Sequence, residues 1–186
     1  QTCKGQFCFF EGDMDAAVKT RRELETDLRE ALAAEQLYLA YQPQVSCDGH
    51  MSGVEALIRW DHPTRGPISP AFFIPIAEQS GLIMNLGLFA LRRAFEDSVR
   101  WKDLKIAVNV SAIQLRNKDF IDEVKMLVSR LKVRPSQFEL ELTEGILLGD
   151  DPETQDRLAE LRRMGFSLAL DDFGTGYSSL SYLQRY

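Results

Sequence analysis

The feature that most constrains the fold is an alternation of single strands and single helices in the second half of the chain. The residues from Lys118 to Leu131 and from Asp151 to Gly165 have helical spacing, and Gly165 is a typical helix stop. Such alternation predicts parallel strands with right-handed crossovers, in a doubly wound sheet or a (β/α)8 barrel. Three strands are predicted in this half, at Lys105–Val110, Phe138–Leu142 and Phe166–Leu170.

The first half predicts two strands joined by a tight turn, which are therefore antiparallel to each other. Leu37–Val45 and Gly53–Trp60 are the strands, and Cys47–His50 is the turn. A helix is predicted over residues 14–34, and a longer helical stretch begins at Pro70. We expect that stretch to break near Pro75 and near Gly81 and to end close to Arg100.

Composition narrows the classes of function. The chain has 186 residues, enough for one domain with an appendage. Its 22 basic and 28 acidic residues argue against binding to nucleic acid or to anionic membranes. No stretch reaches the roughly 18 apolar residues of a membrane span. Three cysteines, an odd and low number, indicate a reducing compartment and a cytoplasmic domain.

Several predicted strands carry polar residues along their length or at their ends, although a buried strand is ordinarily apolar. In parallel α/β folds, functional residues gather at the carboxyl ends of strands. Each residue also has a structural explanation. Glu55 and Arg59 could form an ion pair, and Asn109 could cap the following helix. Glu141, which shares a face with Glu139, could face solvent on an edge strand, and Asp171-Asp172 could form an Asx turn.

The combination of these residues is more informative than any one of them. Four strands of one framework each deliver an oxygen ligand at the same end, and converging carboxylates repel one another unless a cation lies between them. An all-oxygen set without His or Cys favours Mg²⁺ or Mn²⁺, cations that mainly serve phosphate-ester chemistry. Arg59, on the same face of its strand as Glu55, suits a phosphate oxygen.

The segment Glu55-Ala56-Leu57, within Glu-x-Leu-x-Arg-Trp, resembles the signature of EAL domains, the cyclic di-GMP phosphodiesterases. The resemblance extends over about residues 22–186, and several further motifs follow in the family's order. These motifs are Tyr41-Gln42-Pro43, His62-Pro63 with Gly66, Phe73-Ile74-Pro75, Ala77-Glu78, Asn109-Val110-Ser111, Glu141-Leu142-Thr143-Glu144 and the run from Asp171 to Leu180.

The resemblance implies an α/β fold, namely a modified (β/α)8, TIM-like barrel with one antiparallel strand, truncated here after about five strands. It also implies roles for individual residues. The implied catalytic residues are Glu55, Asp171 and Asp172, and the implied metal ligands are Glu55, Asn109, Glu141 and Asp171, with Asp172 at a second metal position. The implied substrate contacts are Gln42, Leu57 and Arg59. The implied regulatory loop consists of Glu144, Phe173, Gly174, Thr175, Gly176, Tyr177, Ser178 and Ser179.

The resemblance also implies a domain organisation. Residues 1–13 are expected to be the remnant of a preceding GGDEF-like domain, 14–34 a linker helix, and 35–186 the N-terminal part of an EAL domain. The family's catalytic Lys and a later catalytic Glu fall beyond Tyr186. We therefore expect residues 1–186 alone not to hydrolyse the substrate.

The implied activity is hydrolysis of cyclic di-GMP to linear 5′-pGpG with Mg²⁺ or Mn²⁺, in bacterial second-messenger signalling. The expected partners are cyclic di-GMP, a second copy in a homodimer, and an attached GGDEF or sensory domain. The expected location is cytoplasmic, with a parent protein that other segments could attach to the inner membrane. The alternative is a regulatory domain that binds cyclic di-GMP without cleaving it.

Overall fold

The computed structural model describes residues 12–34, 36–101, 104–143 and 151–171, with the backbone alone at 12–18, 143 and 171. The strands are β1 (Leu37–Val45), β2 (Met51–His62), β3 (Gly66–Ile68), β4 (Lys105–Val110), β5 (Phe138–Thr143) and β6 (Ser167–Asp171). The helices are α1 (Gly12–Ala33), α2 (Pro70–Ser80), α3 (Ile83–Asp97), α4 (Ala112–Arg116), α5 (Phe120–Leu131) and α6 (Pro152–Met164).

These strands form one mixed sheet in the order β1-β2-β4-β5-β6. β1 is antiparallel to β2, while β2, β4, β5 and β6 pair in parallel through helical crossovers. This arrangement agrees with the predicted topology. β3, a three-residue strand antiparallel to β2, was not predicted. Within the described ranges the sheet is open, with β1 and β6 at its edges.

The sheet buries one face and leaves the other accessible. Ile106 and Val108 of β4 and Leu140 of β5 are at most 1% exposed, because they pack against α3, α5 and α6. Side chains alternate across a strand, so the residues between them project from the opposite, inner face. That inner face carries Asn109 and Glu141.

One of the two helix breaks predicted after Pro70 is absent from the structure. Pro75 lies inside α2 and does not break it, so the predicted break there is wrong, whereas the break at Gly81 is present with φ +78°. Pro75 falls in the second turn on the exposed side, where its ring removes a single intrahelical hydrogen bond.

α1 is packed against the sheet-forming part of the chain. Leu28 and Ala31 are fully buried beside Trp60 and Phe73. A polar contact adds to this packing, because the His62 Nε2 atom lies 3.1 Å from an Asp27 carboxylate oxygen. No helix among the described residues is long and apolar enough to cross a bilayer.

The edge strand β1 is attached to α3 by a partly buried hydrogen bond. The Tyr41 hydroxyl donates to Asp97 Oδ2 at 2.9 Å, and the Tyr41 ring packs edge-on against Trp101. Burial, followed by the hydrogen bond to Asp97 and its negative charge, raises the pKa of Tyr41 well above its ordinary range. Gln42, the next residue along β1, pairs with Glu55 of β2.

We predict that Tyr41→Phe lowers the free energy of unfolding by about 1.5 kcal/mol or more at neutral pH, because Asp97 loses its hydroxyl donor. Above the ordinary tyrosine pKa of 10.0, the unfolded chain releases this proton while the folded chain retains it. Wild-type stability should therefore fall with rising pH, and the difference from the variant should shrink.

Urea unfolding at a series of pH values tests this prediction. Tyr38→Phe is the matched control, because Tyr38 lies on the same strand with an exposed ring and should contribute little. A difference between wild type and Tyr41→Phe that stays constant on alkalinisation would contradict the assignment.

Candidate active site

The parallel register brings the predicted oxygen ligands to one face of the sheet. Residues that pair across neighbouring strands project from the same face. Glu55, Asn109 and Glu141 therefore share the inner face. The pairs are Glu55 with Ala107, Asn109 with Glu141, and Glu141 with Ala169.

Asn109 and Glu55 are in direct contact across β2 and β4. Asn109 Nδ2 donates a hydrogen bond to Glu55 Oε1 at 2.9 Å. This bond uses the amide nitrogen, so Oδ1 is the Asn109 atom that can bind a cation. Asn109 is exposed, while Glu55 and Glu141 are half-buried. The contact thus lies on an accessible surface that a ligand can reach.

Three of the structural explanations do not hold, and the fourth, an Asx turn at Asp171-Asp172, lies outside the described side chains. Ser111, not Asn109, caps α4. Glu141 lies on β5, which has β4 on one side and β6 on the other, so it is not on an edge strand. Arg59 does not pair with Glu55, because its guanidinium donates to the Ile58 carbonyl oxygen at 2.9 Å.

Several predicted site residues are only partly described or lie outside the described residues. The backbone of Asp171 ends β6 opposite Thr143, two residues after the position that pairs with Glu141. Asp172 lies outside the described residues. So does the predicted regulatory loop of Glu144, Phe173, Gly174, Thr175, Gly176, Tyr177, Ser178 and Ser179. Their roles remain predictions.

The residues predicted to bind substrate lie close to the hydrogen bond between Glu55 and Asn109. Gln42 is exposed on β1 opposite Glu55. Leu57 and Arg59 line a cleft of about 200 Å³ that also includes Asn109. A larger groove of about 670 Å³ lies between α1, α3 and α5, away from these strand ends. The smaller cleft is the one that contains predicted site residues, although Glu55, Glu141 and Gln42 do not line it.

The donor set suits a hard divalent cation. Glu55 and Glu141 offer carboxylate oxygens and Asn109 an amide oxygen, which are the ligand types that Mg²⁺ and Mn²⁺ prefer. Within the described residues, no three His, Cys, Asp or Glu side chains cluster closely enough to hold a metal by themselves. The Asn109 amide is a further oxygen donor outside that group of residue types, and the Asp171 side chain lies outside the described residues.

Sequence reasoning missed the residues that support this site from outside the sheet. The Ser111 hydroxyl donates to Glu78 Oε1 at 2.7 Å, and the Ser111 amide donates to Gln114 Oε1 at 3.0 Å. The pattern Ser-x-x-Gln is a capping-box signature that could have revealed Gln114. Sequence spacing gives no such signal for Glu78, which lies 33 residues before Ser111.

Comparison with known proteins establishes the class of the chain. Residues 25–186 match the EAL domain family, and the chain belongs to that family. The solved structure described as the PaMucR phosphodiesterase in complex with c-di-GMP superposes with a TM-score of 0.82 at 43% identity, covering 88% of this chain and 68% of that one. The predicted modified, TIM-like barrel class is thereby confirmed, although the described sheet is not closed.

Relatives of known sequence include two named for activity towards cyclic di-GMP. The bifunctional diguanylate cyclase/cyclic di-GMP phosphodiesterase MucR of Pseudomonas aeruginosa is 43% identical over 185 residues, which are 96% of this chain and 27% of that protein. Cyclic di-GMP phosphodiesterase PdeR of Escherichia coli is 38% identical over 98% of this chain and 28% of its own length. An uncharacterized signaling protein of Caulobacter vibrioides is 46% identical over 98% of this chain and 23% of its own length. The chain thus spans about a quarter of these relatives.

We predict that Glu55→Gln weakens Mn²⁺ binding, because it keeps the shape of the side chain and removes the charge that attracts the cation. The fold should survive the change. Glu139→Gln is the matched control. Glu139 lies on the same inner face of β5, two residues before Glu141. Calorimetric titration of the complete protein with Mn²⁺ measures both affinities. Equal losses in the two variants would show that the cation responds to general charge and not to a site at Glu55.

Proposed function

We propose that the chain forms part of a site that hydrolyses cyclic di-GMP to linear 5′-pGpG with Mg²⁺ or Mn²⁺. The observation that carries the proposal is the contact of Glu55 with Asn109 on the face shared with Glu141. Membership of the EAL family supports it, as do the named activities of MucR and PdeR.

The proposed roles rest on the resemblance to EAL domains and, for Glu55, Asn109 and Glu141, on the face that they share. Glu55, Asn109, Glu141 and Asp171 would hold the cation, and Asp172 would serve a second metal position. A bound divalent cation supplies Lewis acidity for phosphodiester cleavage. We assign Glu55, Asp171 and Asp172 as catalytic residues on this basis.

The substrate contacts would come from the inner face of β1 and β2. Arg59 would bind a non-bridging phosphate oxygen, since a guanidinium matches a phosphate in geometry as well as charge. Gln42 and Leu57 would line the pocket beside it. Gln42 lies on β1 opposite Glu55, and Leu57 lies on β2 with Glu55. The same pair of strands would therefore position the substrate and the cation.

The reaction opens one of the two phosphodiester bonds of the ring. The oxygen of a water molecule bonds to phosphorus, and the bond from phosphorus to the 3′-oxygen breaks. One water proton ends on that 3′-oxygen, which leaves a 5′-phosphate on the linear dinucleotide. No oxidant or reductant takes part.

Regulation and partners are also part of the proposal. Glu144 and the segment from Phe173 to Ser179 would couple a homodimer to the site, and an attached GGDEF or sensory domain would supply the input. The name of MucR joins a cyclase and a phosphodiesterase, which supports such an attachment here. A cytoplasmic location is proposed because the low, odd number of cysteines indicates a reducing compartment.

The test is a hydrolysis assay of the complete protein with cyclic di-GMP. We expect linear 5′-pGpG in the presence of Mn²⁺, loss of product on chelation with EDTA, and recovery when Mn²⁺ is added back. Arg59→Ala should lower kcat/KM by about tenfold or more, the equivalent of roughly 1.4 kcal/mol of lost phosphate binding.

Two results would decide against the proposal. Hydrolysis that continues at full rate in EDTA would rule out the cation's role. Tight binding of cyclic di-GMP without any linear product, in the presence of Mn²⁺, would instead support the regulatory receptor. Arg65→Ala is the matched control for Arg59→Ala, because Arg65 is exposed beside α1, contacting Glu23, and should leave the rate unchanged.

A further inference from the structure

The turn that follows β4 is held by three hydrogen bonds centred on Ser111. The Ser111 hydroxyl donates to Glu78 Oε1 of α2 at 2.7 Å and accepts from the Ile113 amide at 3.2 Å. The Ser111 amide donates to Gln114 Oε1 at 3.0 Å. One serine thus joins the end of β4, the first turn of α4 and helix α2.

α3 leaves space for this arrangement. Gln114 is 1% exposed, and its amide lies against α3 at Gly87. A Cβ atom at Gly87 would stand 1.7 Å from Gln114 Nε2, so no larger residue fits without displacing the amide. A glycine inside a helix ordinarily costs stability relative to alanine. Here it accommodates the buried amide that caps the turn.

The turn lies two residues from Asn109, which is the penultimate residue of β4. Val110, between them, is 2% exposed and packs in the core. The backbone from Asn109 to Ser111 is therefore fixed at both ends, by core packing and by the cap. The direction of the Asn109 side chain towards Glu55 depends on that backbone.

We propose that Glu78 and Gln114 are positioning residues for Asn109 and act through Ser111. This inference rests on the proposed function, in which Asn109 is a cation ligand. Glu78 lines the same cleft as Asn109, and one of its carboxylate oxygens accepts the Ser111 hydroxyl. That bond is the route by which we propose that Glu78 acts on Asn109. Residues that orient the ligands of a metal commonly affect its affinity about 10- to 100-fold.

The test uses paired substitutions in the complete protein, with Mn²⁺ affinity as one measurement. Glu78→Gln keeps an acceptor oxygen for Ser111, and Glu78→Leu removes it. We expect Glu78→Leu to weaken Mn²⁺ binding about tenfold and Glu78→Gln to bind as the wild type does. Gly87→Ala, which displaces the Gln114 amide, should weaken binding in the same way. Gln79→Ala, at the exposed neighbour of Glu78 on α2, is the matched control and should bind as the wild type does.

The second measurement does not involve the metal. In the metal-free protein, the side-chain amide resonances of Asn109 should shift in Glu78→Leu and Gly87→Ala and stay in place in Glu78→Gln. If Gly87→Ala does not fold, Ser111→Ala replaces it. We expect Ser111→Ala to shift the Asn109 resonances as Glu78→Leu does.

Each outcome is decisive. Equal weakening by Glu78→Gln and Glu78→Leu would mean that the Glu78 charge attracts the cation directly, which overturns the positioning role. Wild-type affinity and unshifted Asn109 resonances in Glu78→Leu would also overturn it, while leaving the proposed function intact. A wild-type protein that binds no Mn²⁺ would overturn the cation role of Asn109, and with it both proposals.

Discussion

The parallel pairing of β4 with β2 on one side and β5 on the other is the constraint on which the rest of the structure depends. Ile106 and Val108 are buried to within 1% on the outer face of β4. A slip of one residue would turn these apolar side chains inward and move Asn109 out of reach of Glu55. The burial that stabilises the sheet therefore also fixes the register of the site.

The helices add a second level of control. α3 packs its apolar side on the outer face of the sheet, and at Gly87 it leaves the space that the Gln114 amide fills. α2 contributes Glu78 to the same turn. The strand pairings position the side chains of the inner face. The end of β4 is held instead by α2, by α3 and by the capping box of α4. Sheet register alone would leave that end less restrained.

The sequence allowed much of this to be predicted, and the failures have physical causes. The bounds of β1 and β4 were predicted as found, because a tight turn follows the first and β-branched residues fill the second. β3 and α4 were missed because three and five residues are too few to show a period. The break expected at Pro75 was wrong, since its ring faces outward near the helix start. The bond from Ser111 to Glu78 depends on tertiary packing, which no spacing along the chain records.

The central claim is that Glu55, Asn109 and Glu141 hold one divalent cation at the carboxyl end of the strands. Anomalous diffraction from crystals of the complete protein grown with Mn²⁺ tests it most directly. The account predicts a strong anomalous peak about 2.1 Å from oxygens of all three side chains. Crystals with Mn²⁺ in solution and no peak between these three residues would contradict it, whether or not a peak lies elsewhere.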